Sequence, residues 1–193
     1  AVVARDIALA ETVIERDLEM DRLEREVEGK AVRMLALRQP MAADLRNVIA
    51  AIKLSGGIER IGDLAKNIAR RSIAVANEDN RTALRGIERL GQAVSRMLQV
   101  SLDAYARRDP VAAHGVLDQD DDIDSHYNSL LRAMLRFMAE EPDQIDARSN
   151  FIFIVKNLER IGDHCTNIAK VVHFIATGQR VGDAERTTSP QPE

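Results

Sequence analysis

Tryptophan is absent from the 193 residues, and aromatic residues together make up only 3 % of the chain. Any core must therefore be filled by Met, Leu, Ile, Val and Ala, a palette suited to packed helices. Hydrophobic residues reach 45 %, enough to bury a sizeable core. A single cysteine, Cys165, excludes an internal disulfide and fits a reducing compartment. Apolar runs stop at lengths like that of Phe151 to Val155. A membrane-spanning helix needs roughly 20 such residues. Basic residues are not in excess: 27 Lys and Arg face 31 Asp and Glu, for a net charge of −4. That removes the electrostatic footprint of a duplex nucleic-acid binder. No charged-then-apolar leader opens the chain, and no glycine-rich phosphate loop, nucleophile elbow or His-Glu-x-x-His stands anywhere in it. A soluble cytoplasmic protein without a nucleic-acid partner is the expectation.

What the chain does contain reads as helix almost throughout. Residues 7–38 hold no proline and end at "LRQPMA"; a second helix is expected over 41–76, where "NEDN" breaks it. A third spans 82–108, with Leu84, Ile87, Gly91, Val94, Leu98, Ser101 and Tyr105 on an alternating three–four spacing. Pro110 suits the first turn of a fourth, which runs to "EEPD", and a fifth covers 142–177. No strand-like alternation competes, so the fold is expected to be all-α. Beyond it, residues 178–193 are polar, carry two prolines and show no period, and are expected to be a disordered tail.

The chain is also written twice. "IERIGDLAKNIA" (58–69) returns as "LERIGDHCTNIA" (158–169), and "RDIALAETVIERDLEMD" (5–21) aligns with "RDPVAAHGVLDQDDDID" (108–124). Two helices joined by a proline turn are thus duplicated, which divides the chain into a first repeat, 1–80, and a second, 81–177. A long helix precedes the second copy. By symmetry another should precede the first, of which only the last turn stands at the start of this chain. The first of two antiparallel three-helix bundles is thus expected to be incomplete, either shortened here or completed by a helix from elsewhere.

A structural helix needs apolar residues at helical spacing, while its outer face can be varied freely. Here the outer face is repeated. Glu59 and Asp63 lie opposite Leu54, Ile58, Ile61, Ala65 and Ile68, and Glu159 and Asp163 lie opposite Ile154, Leu158, Ile161, Cys165 and Ile168. Asp17 with Asp21, and Asp120 with Asp124, give the partner helices the same acid–x–x–x–acid spacing. With 31 acids in 193 residues such a pair is common by chance, and a solvated face explains any one of them. Their placement at matching points of both repeats is not so explained. Like charges four apart cost a helix about 0.2–0.5 kcal/mol per pair, so four retained pairs point to a compensating cation. Oxygen ligands without a cysteine or histidine set favour Mg, Mn, Ca or iron.

In "VIERDLEMD", "ALRQPMAADLR", "IERIGDLAKNIARR" and "FIFIVKNLERIGDHCTNIAKVVHFIATG", the chain resembles the PhoU family over almost all of residues 1–177. The resemblance implies tandem three-helix bundles whose E/D-x-x-x-D motifs bind a divalent metal or a multinuclear cluster (Fe, Zn, Mn or Mg). On the matching positions the ligands would be Asp17, Asp21, Glu59, Asp63, Asp120, Asp124, Glu159 and Asp163. It further implies a cytoplasmic, non-enzymatic negative regulator of phosphate uptake and of the starvation response. Its partners would be the cytoplasmic components of the Pst phosphate importer and a PhoR-type sensor histidine kinase, through which it sits beside the membrane; a homodimer is compatible with this. "SGG" (55–57) departs from helix-forming residues and suggests a bend.

Two other classes compete. A carboxylate-bridged di-metal enzyme wants inward Glu-x-x-His pairs, and none of His114, His126, His164 and His173 has a glutamate three residues before it. A plain helical scaffold would carry the same acids for solubility alone. Arg60 and Arg160 read first as local ion-pair partners, His164 as an interhelix histidine, Cys165 as core filler, and Asp44 as a helix-start charge.

Overall fold

The computed structural model describes residues 1–78, 80–140 and 145–181, with backbone alone at positions 146 and 147. Six α-helices and no strand occur among them: α1 (Ile7–Arg38), α2 (Ala43–Ala74), α3 (Arg81–Arg107), α4 (Pro110–Asp118), α5 (Asp120–Glu140) and α6 (Ile145–Thr177). The all-α expectation holds.

The helix starts follow from side chains that satisfy free amides. Asp6 accepts from the Leu9 amide at 2.9 Å, and Asn80 accepts from Ala83 at 2.9 Å. Asp109 takes the amides of Val111 and Ala112 at 2.9 and 3.0 Å, and Pro110 fills the first turn behind it. α2 has no side-chain cap, so Asp44 contributes only its charge to the positive end of the helix. At the other end of the chain Gly178, at φ 77°, closes α6 and donates to the Phe174 carbonyl at 2.8 Å.

One expectation changes. The single helix after Pro110 is divided at Gln119, whose side-chain Nε2 takes the Gly115 carbonyl at 2.9 Å. The Gln119 amide bonds Val116 instead, at 3.2 Å, and tightens the turn. Asp120, Asp121 and Asp122 thereby fall in the first turn of α5, where acids are favoured. The "SGG" stretch lies inside an uninterrupted α2. Residues 141–144, which hold all but the first residue of "EEPD", and most of the expected tail, 182–193, lie outside the described residues.

α6 is the hub of the packing. It lies against α2, α3, α4 and α5, whereas α1 rests on α2 alone. The main cluster joins Leu54, Ile61 and Leu64 of α2 with Ile87, Leu90, Val94 and Met97 of α3. Phe151, Ile154, Val155, Ile161, Cys165, Ile168 and Val172 of α6 complete it, and α1 contributes no residue to it.

Candidate metal centres at two helix seams

In the first hairpin the buried residues of α1 are Ala10, Asp17 and Ala31. Beside half-buried Val13, Ile14, Met20 and Val27, a buried carboxylate is unusual and needs a partner to be there. Lys66 of α2 supplies it: Nζ lies 2.5 Å from Asp17 Oδ2 and 2.6 Å from Asp63 Oδ1, bridging the two helices. These bonds raise the lysine above its ordinary range, with Asp17 the largest cause, and the Lys66 bond holds Asp63 below the usual carboxylate range. Glu59 is pushed the other way, by burial first, then by Asp63, with Asp21 adding to it across the seam and Arg60 opposing. Arg60 pairs locally, 3.3 Å from Asp63 and 3.6 Å from Glu59. The second oxygen of the buried carboxylate, Asp17 Oδ1, has no hydrogen-bond partner.

The second hairpin holds the matching acids less deeply, with Asp120 half-buried and Asp124 and Asp163 exposed, and neutralises them differently. Asp120 is raised by burial first, then by Asp124 and by Asp163 across the seam; Lys170 opposes from a distance. Glu159 Oε1 accepts from Lys156 at 2.8 Å, while its Oε2 is buried without a partner. Lys156 itself is drawn outward over the Tyr127 ring, 5.1 Å from its centroid. Where the first hairpin has Lys66 the second has Thr166, whose hydroxyl turns back to the Asp163 carbonyl at 2.8 Å. Among the described residues no Lys or Arg forms an ion pair with Asp120, Asp124 or Asp163.

The repeated glycine lies at both crossings, where an added Cβ would make ordinary contact in the first and a tight one in the second. A Cβ on Gly62 would sit 3.4 Å from Met20 Cγ and 3.7 Å from Asp17 Oδ1. A Cβ on Gly162 would sit 3.3 Å from Ile123 Cγ2. Met20 and Ile123 are the aligned residues of the two copies, so the repeated glycine of "ERIGD" marks the same crossing twice. Sequence reasoning attended to the acids and missed both this glycine and Lys66; the glycine's invariance between the copies was the available signal.

The acids do not all face outward as expected. Asp17 is 6 % exposed, and the Glu59 and Glu159 side chains are only 21 % and 13 % exposed. The reason is that α2 and α6 each have a second contact face, toward α1 and α5, and the acids line its edge. Among the described residues no three His, Cys, Asp or Glu side chains converge as a ready-made ion cage. The donors nonetheless suit a hard divalent ion: all are oxygens, and each seam keeps one buried oxygen unpartnered. His164 is half-buried and held low by burial first and then by Arg160, as an interhelix histidine should be. Cys165 is fully buried.

Two similar helical hairpins with acids along their seams, in a chain with no strand among its described residues, define a class: an internally duplicated, carboxylate-rich helical protein. A family model described as the PhoU domain matches residues 1–72 and again 87–172. Over 194 aligned residues the chain is 45 % identical to the phosphate-specific transport system accessory protein PhoU homolog of Caulobacter vibrioides, covering 100 % of this chain and 82 % of the relative. The homolog of the same description from Rhizobium meliloti is 44 % identical over 92 % of this chain and 76 % of its own length. The crystal structure of PhoU from Pseudomonas aeruginosa is similar at a TM-score of 0.89 and 37 % identity, covering 92 % of this chain and 86 % of that one. The phosphate transport system regulatory protein PhoU from Streptococcus pneumoniae is similar at 0.85 and 26 %, over 93 % and 84 %. The chain belongs to the PhoU family. No helix among its described residues is long and apolar enough to cross a membrane.

Proposed function

We propose that this protein is a metal-binding cytoplasmic regulator that restrains phosphate uptake and the starvation response by contact with a phosphate-specific transporter and a PhoR-type sensor kinase. The observation that carries the metal part is the pair of buried carboxylate oxygens without partners, Asp17 Oδ1 and Glu159 Oε2, in seams where acids of facing helices act on one another, Asp21 on Glu59 and Asp163 on Asp120. Asp17, Asp21, Glu59 and Asp63 are the candidate ligand set for an ion at one seam, where the Lys66 ammonium already bridges Asp17 and Asp63, and Asp120, Asp124, Glu159 and Asp163 are the set at the other. The ion would supply charge compensation that draws the two helices of a hairpin together. The regulatory part rests on family membership and on the transport-accessory role that the relatives' names state. Regulation by contact needs no turnover, which agrees with the accessory role that those relatives' names state.

Deletion of the gene should leave phosphate-starvation genes switched on in phosphate-rich medium, and the unaltered gene should switch them off again. Glu159→Gln/Asp163→Asn, shown folded by circular dichroism, should restore repression incompletely. Purified protein should melt at a higher temperature with excess Mn(II) or Zn(II) than with chelator, because ligation favours the folded state by mass action. Equal melting temperatures would favour a plain helical scaffold, and normal repression in the deletion strain would remove the regulatory reading.

A further inference from the structure

The two seams carry the same acids but differ in what neutralises them. In the first hairpin the ammonium of Lys66 lies between Asp17 and Asp63, in hydrogen-bond contact with a carboxylate from each helix. Its side chain is 19 % exposed, and that of Asp17 is 5 % exposed. An ammonium offers one positive charge and three donors, which is what two facing carboxylates need. In the second hairpin the residue at that position is Thr166, an uncharged group committed to its own helix. Lys156, one turn before Glu159, forms its one ion pair with that glutamate of its own helix and is 46 % exposed. Among the described residues no Lys or Arg forms an ion pair with Asp120 or Asp163, and Lys170 acts on Asp120 only through its charge.

We propose that Lys66 is a tethered cation that takes the place of a metal ion in the first hairpin, so that divalent metal binds selectively at Asp120, Asp124, Glu159 and Asp163. This rests on the metal-binding reading given above. A divalent ion entering the first seam must break two short charge-assisted bonds and displace a buried ammonium. The same ion entering the second seam breaks only the Lys156–Glu159 pair, whose ammonium is half-exposed and bonded to a single carboxylate. The first hairpin is then closed whatever the metal supply, and metal status is read by the second hairpin alone. The duplication has become a division of labour: a permanent seam in one copy, a switchable one in the other.

The test counts metal on the full chain by equilibrium dialysis against Mn(II) alone and, separately, Zn(II) alone, with melting temperature measured in parallel. In the unaltered protein, Glu159→Gln/Asp163→Asn should abolish bound metal, and Glu59→Gln/Asp63→Asn should leave it in place. Lys66→Thr, which copies the second hairpin into the first, should add metal that Glu59→Gln/Asp63→Asn then removes. It should also melt lower than the unaltered protein in chelator and recover when metal is supplied. Thr166→Lys should lose metal while gaining stability in chelator. Lys66→Gln keeps the stem and removes the charge, and gives the same readout should threonine pack badly. Metal held equally by both hairpins in the unaltered protein would overturn the proposal. So would a Lys66→Thr or Lys66→Gln variant that gains no metal while the second hairpin binds it. Absence of metal from every variant would instead remove the metal reading itself, and this inference with it.

Discussion

A carboxylate at the centre of a docking face is tolerated only where an opposing charge meets it, and Asp17 shows how narrowly that is arranged. Lys66→Met should cost about 3 kcal/mol in urea unfolding without metal, because it strands Asp17 and Asp63 beside one another. Asp17→Asn/Lys66→Met should recover part of that loss, giving a coupling of about 1–3 kcal/mol in the double-mutant cycle. Cys165 makes the opposite case, a neutral group kept neutral. Burial pushes its thiol from 9.0 up to about 12, against a weak opposing bond from Ser101. The thiol is protonated in both folded and unfolded chains below pH 9, so its burial costs nothing there. Between pH 9 and about 12 only the unfolded chain loses the proton, and stability should fall over that window. Iodoacetamide should accordingly leave Cys165 unmodified in the native protein at pH 8 and modify it at once in urea, as mass spectrometry would show.

At the scale of the helix, the glycines separate by what surrounds them. Gly56 and Gly57 lie in mid-helix with no atom within 4 Å of an added Cβ, so neither is required by packing. Gly56→Ala should stabilise the protein by about 0.5–1 kcal/mol through helix propensity alone. Gly162→Ala gains the same propensity but presses on Ile123 Cγ2 at 3.3 Å, and thermal melting should show it neutral or destabilised. The helices themselves were legible in the sequence because Asp6, Asn80, Asp109, Pro110 and Gly178 are local signals acting on adjacent backbone. The acid pairs were legible because the second copy repeats them. Lys66 was not, since three residues after Asp63 it reads as a local ion-pair partner, and its bond to Asp17 exists only once α1 crosses α2. The division at Gln119 was equally hidden, because it turns on one side chain winning a carbonyl from its own amide.

Across the whole molecule, burial is uneven. α1 touches α2 alone and adds nothing to the main cluster, while α6 is packed on by four helices. Native-state hydrogen exchange should therefore release the amides of α1 first and those at the centre of α6 last, near the rate of global unfolding. Uniform protection along both helices would contradict that ordering. The position of α6 in the chain carries a further consequence, for how the protein is made. Phe151, Ile154, Val155, Cys165, Ile168 and Val172, which close the core, follow every other described helix in sequence. A chain growing from the ribosome at about 5–20 residues per second exposes the apolar faces of α2 and α3 for many seconds before their partner is synthesised. Cellular folding helpers thus meet this protein during translation, with α1 and α2 able to pair early and the rest waiting for the last helix to emerge.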